Sequence, residues 1–322
     1  MNRPLEVGMT GQRKQSMIND NIVDLGSAWS SRKTNEILQM ANRLYEGKDL
    51  EVHFAEEIDA FDGNVWAWVQ ARIRAGDFQS INVGDFIRFT AGGHIIEAEI
   101  AGINTYTRSM SPEVGSHIDF ISRDLWPEPV VWNLANYNNG VAAMTTPFLT
   151  SNVHAFINSL QMDVPNGTTA NPAMLNVDYR NSGILSRLPA ELREVLVPKI
   201  ALMERRFSAG LLLVDSNSWD WREMGLLWLP TEIEIYGHPA WGTIDAPNQG
   251  VAIGSYVHYP LFTNNMKRVK GNGHIGVRHW YWLATVRGGF STHVAAINHG
   301  GNAHHATAGD AMGRVPVCFR IA

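Results

Sequence analysis

Apolar residues along this chain fall into two regimes that meet near Ile81. Before that point they recur at helical spacing. Ile37, Leu38, Ala41 and Leu44 follow the capping candidates Ser30 and Ser31 and predict a helix over 35–44. A second helical stretch runs from Ala55 to Phe61 and on from Val65 to Ile73, with Gly63 placed to break it. Its Trp66, Trp68 and Ile73 are expected to pack against the domain that follows. From Ile81 the period becomes two. Val83 to Thr90 and His94 to Ile103, joined through Ala91-Gly92-Gly93, predict a β-hairpin, and His117 to Ile121 a third strand of the same sheet. The tract 126–180 is dense in Asn, Pro, Thr and Gly, is punctuated by Trp132, Tyr137, Phe148 and Phe156, and reads as long packed loops. Leu188 to Leu196 predicts a helix with Pro189 in its first turn and Pro198 beyond its end, and Leu226 to Gly237 a buried strand leading into a second short helix or strand.

Two hydrophobic brackets, Trp280-Tyr281-Trp282-Leu283 and Val315 to Ala322, are expected as core strands. Between them, residues 290–310 are small, polar and rich in His, Asn and Gly, with no Lys, Glu, Gln, Met or Trp. Such filler predicts surface loops carried by the bracketing strands. A rigid scaffold that displays a chemically varied surface is a recognition device more often than a catalyst.

Composition narrows the class. Eleven Trp and 29 Gly in 322 residues point to a β-rich, loop-rich protein in which large aromatics anchor an irregular core. A net charge of -5 without a Lys/Arg cluster argues against a nucleic-acid partner. The single Cys318, flanked by Val317 and Phe319, excludes an internal disulfide and reads as a buried thiol. No window approaches the roughly 20 apolar residues of a membrane span, and Met1-Asn2-Arg3-Pro4-Leu5-Glu6 lacks a signal-peptide core. Within residues 1–50 the runs Gly8 to Ser16 and Ala28 to Thr34 are polar and basic, and the segment is expected to order by docking onto a partner.

In order along the chain, Val83-Gly84-Asp85, Ala101-Gly102-Ile103-Asn104, Leu188-Pro189-Ala190-Glu191-Leu192, Leu227 to Glu232 with Tyr236-Gly237, Trp280 to Leu283 and Val315 to Phe319 carry a resemblance. Over residues 81–322 the chain resembles a domain family of phages and prophages of gut bacteria. The ends of that family are similar to the C-type-lectin-like fold of formylglycine-generating enzymes and of retroelement-diversified phage receptor-binding proteins. The segments Gly11 to Ser16 and Trp29 to Lys33 are similar to leader segments of phage structural proteins. The resemblance implies an α+β, C-type-lectin-like display domain over 81–322, with small mixed sheets, few helices and long loops. A helical linker over 51–80 and an N-terminal anchoring segment over 1–50 precede it. It also implies that residues near 285–312 form the ligand-facing surface. Retroelement mutagenesis of AAC-type codons cannot yield Lys, Glu, Gln, Met or Trp, so their absence between Gly288 and Ala311 fits diversification, and a Gly/Ala-rich loop accounts for it equally.

Six of the twelve histidines follow residue 270, yet adjacent His304 and His305 on a strand would face opposite ways, so adaptable polar contact is expected rather than a metal site. Asp215, Asp220, Glu232 and Glu234 are candidate carboxylates for glycan cleavage, with capping or a solvated edge the blander role of Glu232 and Glu234. Trp219, Trp221, Trp241, Tyr256 and Tyr259 are candidate stacking platforms or core anchors. No nucleophile elbow, phosphate loop or zinc-protease motif occurs, and one cysteine does not support formylglycine-generating chemistry. The expectation is therefore a non-enzymatic virion protein without cofactor. Its ligand contacts would be His293, Asn298, His299, Asn302, His304, His305, Thr307 and Asp310, and its particle contacts Arg13, Lys14, Trp29, Arg32 and Lys33. Expected partners are a host cell-surface protein or glycan, other virion proteins through residues 1–50, and copies of itself, a trimer being favoured. A capsid decoration or head-fibre protein and a virion glycan-degrading enzyme are the alternatives.

Overall fold

The computed structural model describes residues 46–109, 115–134, 136, 147–165, 174–207, 213–242, 256–271, 277–288, 290 and 292–322. The helix expected over 35–44 and the anchoring residues Arg13, Lys14, Trp29, Arg32 and Lys33 lie outside them.

Three helices open the described chain: α1 (Leu50–His53), α2 (Ala55–Asp59) and α3 (Val65–Ala75). The break between α2 and α3 falls at Gly63, whose φ of 76° suits a residue without Cβ. Asn64 caps α3 by accepting hydrogen bonds from the Trp66 and Ala67 N–H groups, and the helix stops at Gly76 in the left-handed region. Trp66, Trp68, Val69 and Ile73 are buried, and the Trp66 ring meets Phe89 edge-on at 5.6 Å and Phe319 at 5.8 Å. The segment expected as a linker is therefore helical, and its aromatic residues sit within the core, as their docking role required.

Strands β1 (Phe86–Ala91) and β2 (His94–Ile103) form the predicted hairpin. Gly92 and Gly93, at φ 57° and 82°, supply the two positive angles that a two-residue turn compatible with strand twist needs. Strand β3 (Ile118–Leu125) pairs antiparallel with β2. The following tract is less irregular than its composition predicts. It contains α4 (Asn152–Ile157), capped by Ser151 accepting from the His154 N–H, and the hairpin β4 (Gln161–Pro165) and β5 (Met174–Asp178). A cap, six buried helical residues and cross-strand pairing override the loop-forming composition there. Short helices α5 (Ile184–Arg187) and α6 (Ala190–Val195) come next, the second starting after Pro189. Strand β6 (Leu196–Val197), the pair β7 (Ile200–Phe207) and β8 (Leu213–Glu223), and helix α7 (Glu232–Tyr236) complete this half.

The last strands are β9 (Lys270–Gly271), β10 (Arg278–His279), β11 (Tyr281–Val286), β12 (His293–Ile297), β13 (Ala303–Thr307) and β14 (Pro316–Ile321). Strand β14 lies between β3 and β6 in the five-stranded sheet β1-β2-β3-β14-β6, while β11-β12-β13 form a separate three-stranded sheet. Two expectations change. Every pairing between these named strands is antiparallel, so the sheets are not mixed; parallel contact occurs among the described residues as the isolated bridges Asp49 to Phe86 and Tyr281 to Arg314. And the run after Val286 is not loop alone: Val294, Ala295, Ala296 and Ile297 are fully buried and draw it into two further strands. The class is α+β, with few helices and several small antiparallel sheets.

The core also holds charge. Arg320 on β14 stands opposite Asp119 on β3 and donates to both its oxygens at 2.7 and 2.8 Å, with Tyr259 Oη donating to the same carboxylate at 2.9 Å. Glu234 accepts from Lys199 Nζ and Tyr106 Oη, and the Lys199 ammonium sits 3.5 Å over the Trp228 ring. All four ionic side chains are buried. Each cation is paired with a carboxylate and flanked by aromatic faces, the condition under which charge survives in a core.

Candidate functional site

The site begins with a carboxylate that binds its own chain. Glu232, the first residue of α7, is 1% exposed, and its oxygens accept hydrogen bonds from the Ala240, Trp241 and Gly242 N–H groups at 2.7 to 3.0 Å. Three charge-assisted bonds from consecutive amides fix the 240–242 backbone. From the other side, the Gly288 N–H donates to the Trp241 carbonyl at 2.9 Å, tying this segment to the end of β11. The Trp241 ring is thereby held against the three-stranded sheet.

Around it gathers a cluster of aromatic and basic side chains. Trp241 meets the His305 ring edge-on at 4.5 Å, and His305 lies 5.2 Å from His293 and 5.6 Å from His304. The Arg287 guanidinium is 3.7 Å from the centre of the Phe290 ring and 4.9 Å from that of Trp241, with Nη1 reaching 3.4 Å from His305 Nδ1. Phe290 in turn packs on His293 at 5.5 Å and is 45% exposed, so the cluster borders solvent. The pairing of Ala295 with His305 puts a methyl beside the imidazole and leaves room for this assembly. Burial, together with Arg287 and the neighbouring imidazoles, pushes His305 down to about 4. Burial and then Arg287 lower His293 as well. Both rings are neutral near pH 7, beside the cationic Arg287.

The expected ligand residues divide along the β12–β13 hairpin. His293, His305, His304 and Thr307 stand on its strands, with His293 directly opposite Thr307. The exposed His304 and half-buried His305 differ in exposure as adjacent strand residues should, though their rings stack. At the other end, Asn298 accepts from the Gly300 and Asn302 N–H groups at 2.8 and 3.0 Å and thus builds the turn, leaving His299 exposed at its tip. Asp310 accepts from the Met312 N–H at 2.8 Å, shaping the loop after β13. The sequence reading did not assign Arg287 or Phe290 to the site, and Trp241 entered it only as one aromatic of five. Arg287 is the single Lys or Arg between Thr285 and Met312, a signal that was there to find.

Among the other candidates, Glu234, Tyr259 and Trp221 have structural roles. Glu234 forms a capping box with Thr231 in addition to its bonds to Lys199 and Tyr106. Tyr259 is a core residue, and Trp221 is packed against the core. The side chains of Asp215, Trp219 and Asp220 lie outside the described residues. A narrow crevice adjoins Glu232, lined also by Thr231, Ile233, Pro239, Thr285 and Val286, and Glu232 is its one carboxylate among the described residues. That carboxylate is already occupied by the three amides, and among the described residues no second acid lines the crevice. Among the described residues, no three His, Cys, Asp or Glu side chains are grouped to hold a metal ion. Cys318 is buried in β14, and burial raises its thiol far above the ordinary range. No protein-family model, curated protein or solved structure matches the chain.

Proposed function

We propose that the protein is a phage virion adhesin, in which a C-type-lectin-like domain binds a host-surface ligand through the face formed by β11, β12 and β13, and residues 1–50 join it to the particle. The observation that carries this reading is the cluster of Trp241, Arg287, Phe290, His293, His304 and His305, gathered at a solvent border and held by Glu232. Aromatic faces, a guanidinium and imidazoles form the mixture that supplies contact area and directional bonds together. Their support by strands and by a buried carboxylate limits the ordering cost of binding.

The test is binding of the purified full-length protein to intact candidate host cells, beside a variant carrying His293→Ala, His304→Ala and His305→Ala. Binding by the parent and its loss in a variant with an unchanged thermal transition is the expected outcome. Binding that survives in the variant moves the ligand face elsewhere. No binding by either protein overturns the adhesin reading in favour of a decoration role.

A further inference from the structure

We infer that Arg287 and its aromatic flanks form a receptor site for a carboxylate-bearing sugar, so that the ligand of the proposed adhesive face is an acidic glycan. The inference rests on the adhesin reading for its biological setting and on Arg287 for its chemistry. The guanidinium is half-buried between Phe290 and Trp241, and its Nε is shielded from water without a hydrogen-bond partner among the described residues. Burial alone lowers its proton affinity, which marks a cation taken partly out of water. Elsewhere in the molecule Arg320 pairs with Asp119, Arg123 with Glu97 and Glu99, Arg72 with Glu57, and Arg187 with Glu128, while the half-buried Arg268 and Arg314 donate to the Phe262 and Trp126 carbonyls. Arg287 has no such acid among the described residues. Cation–π contact offsets part of the desolvation, and a planar anion paired with the guanidinium would offset the rest.

A carboxylate fits a guanidinium fork with two parallel hydrogen bonds. The adjoining rings favour a ligand whose carboxylate is attached to a body with C–H faces, and a uronic or sialic acid has both. His293 and His305, both neutral near pH 7, extend the same surface with groups that donate and accept toward hydroxyls. Inorganic phosphate or sulfate would satisfy the charge alone and leave the rings unused.

The test uses the full-length protein and immobilised saccharides ending in glucuronic acid or N-acetylneuraminic acid, each beside its carboxyl-reduced counterpart. The expected result is binding to the acidic saccharides that falls roughly tenfold or more on carboxyl reduction. Arg287→Gln should produce a similar loss and Arg287→Lys a smaller one. Equal binding to acidic and reduced saccharides, or no binding to either, overturns the inference, and this arm needs no variant. Displacement by inorganic phosphate as effective as by free glucuronate, at matched ionic strength, makes the site a general anion site and also overturns it. Host-cell binding that persists in Arg287→Gln but is lost in the triple histidine variant removes the acidic-glycan assignment and keeps the adhesin. Acidic-saccharide binding without cell binding does the reverse.

Discussion

His154 shows how one side chain sets a pH limit on the fold. It is buried in α4 with Nε2 3.1 Å from the Met224 carbonyl, and burial pushes it down to about 4. Below its ordinary value of 6.5 the unfolded chain takes up a proton that the folded chain refuses until about pH 4. Stability from this residue is thus complete above pH 6.5 and is lost as pH falls through that window, by about 3 kcal/mol in all. Urea denaturation between pH 7 and 4 should show that decline, with His305 adding to it and Asp119, which burial raises to about 7, opposing it, and His154→Gln should make the fall less steep. A slope unchanged in the variant would mean that other groups set the acid limit. The Asp119–Arg320 pair makes a second prediction at this scale. Arg320→Met leaves a buried carboxylate without its cation and should cost about 3–5 kcal/mol, whereas adding Asp119→Asn should recover part of that loss in the same urea measurement.

Among the elements, the β12–β13 hairpin and the 240–242 segment carry the site, and each has a separate lock. Asn298 locks the hairpin turn, whose Gly301 adopts a φ of 82°. Glu232 locks Trp241. Glu232→Gln keeps the size and loses the charge on three bonds. It is expected to lower stability by about 1–3 kcal/mol and to free the Trp241 ring, read as a change in tryptophan emission and weaker host-cell binding. Trp241→Phe provides the reference for the emission change. Asn298→Ala should speed hydrogen exchange across β12 and β13 while sparing β1 and β2.

The two hairpins also explain what was legible beforehand. The β1–β2 hairpin announces itself because alternating Phe, Ile and polar residues flank a Gly-Gly turn, and the helix break at Gly63 is as local. The β12–β13 hairpin is built from Ala, His, Asn and Thr, whose composition reads as loop; its strands depend on burial of Val294 to Ile297 beneath the rest of the domain. A tertiary cause of that kind leaves no period in the sequence. The histidines of the site were visible as a concentration of one residue type. The Arg287–Trp241 contact was not, because it exists only through Glu232 holding a distant segment and Gly288 bonding to it.

For the whole molecule, adhesion through a small face implies several copies. Linking weak sites raises apparent affinity without new contacts, and we expect the full-length chain to be a homo-oligomer, a trimer of 35.8 kDa subunits. Sedimentation equilibrium of the full-length protein reads this directly, and a monomer at micromolar concentration contradicts it. Residues 1–50 and the adhesive face have separable tasks in this account. Removal of residues 1–45, which lie outside the compact unit formed by residues 46–322, should abolish incorporation into particles and leave the fold of that unit unchanged.

An adhesin of the kind proposed touches the host through its β11–β13 face. Hydrogen exchange of the full-length protein, followed by mass spectrometry with and without host envelope fragments, locates that contact. Slowed exchange in peptides covering 239–242 and 287–307, with β1 to β3 unchanged, is the predicted result. Protection confined to other segments, or none at saturating envelope, would contradict it.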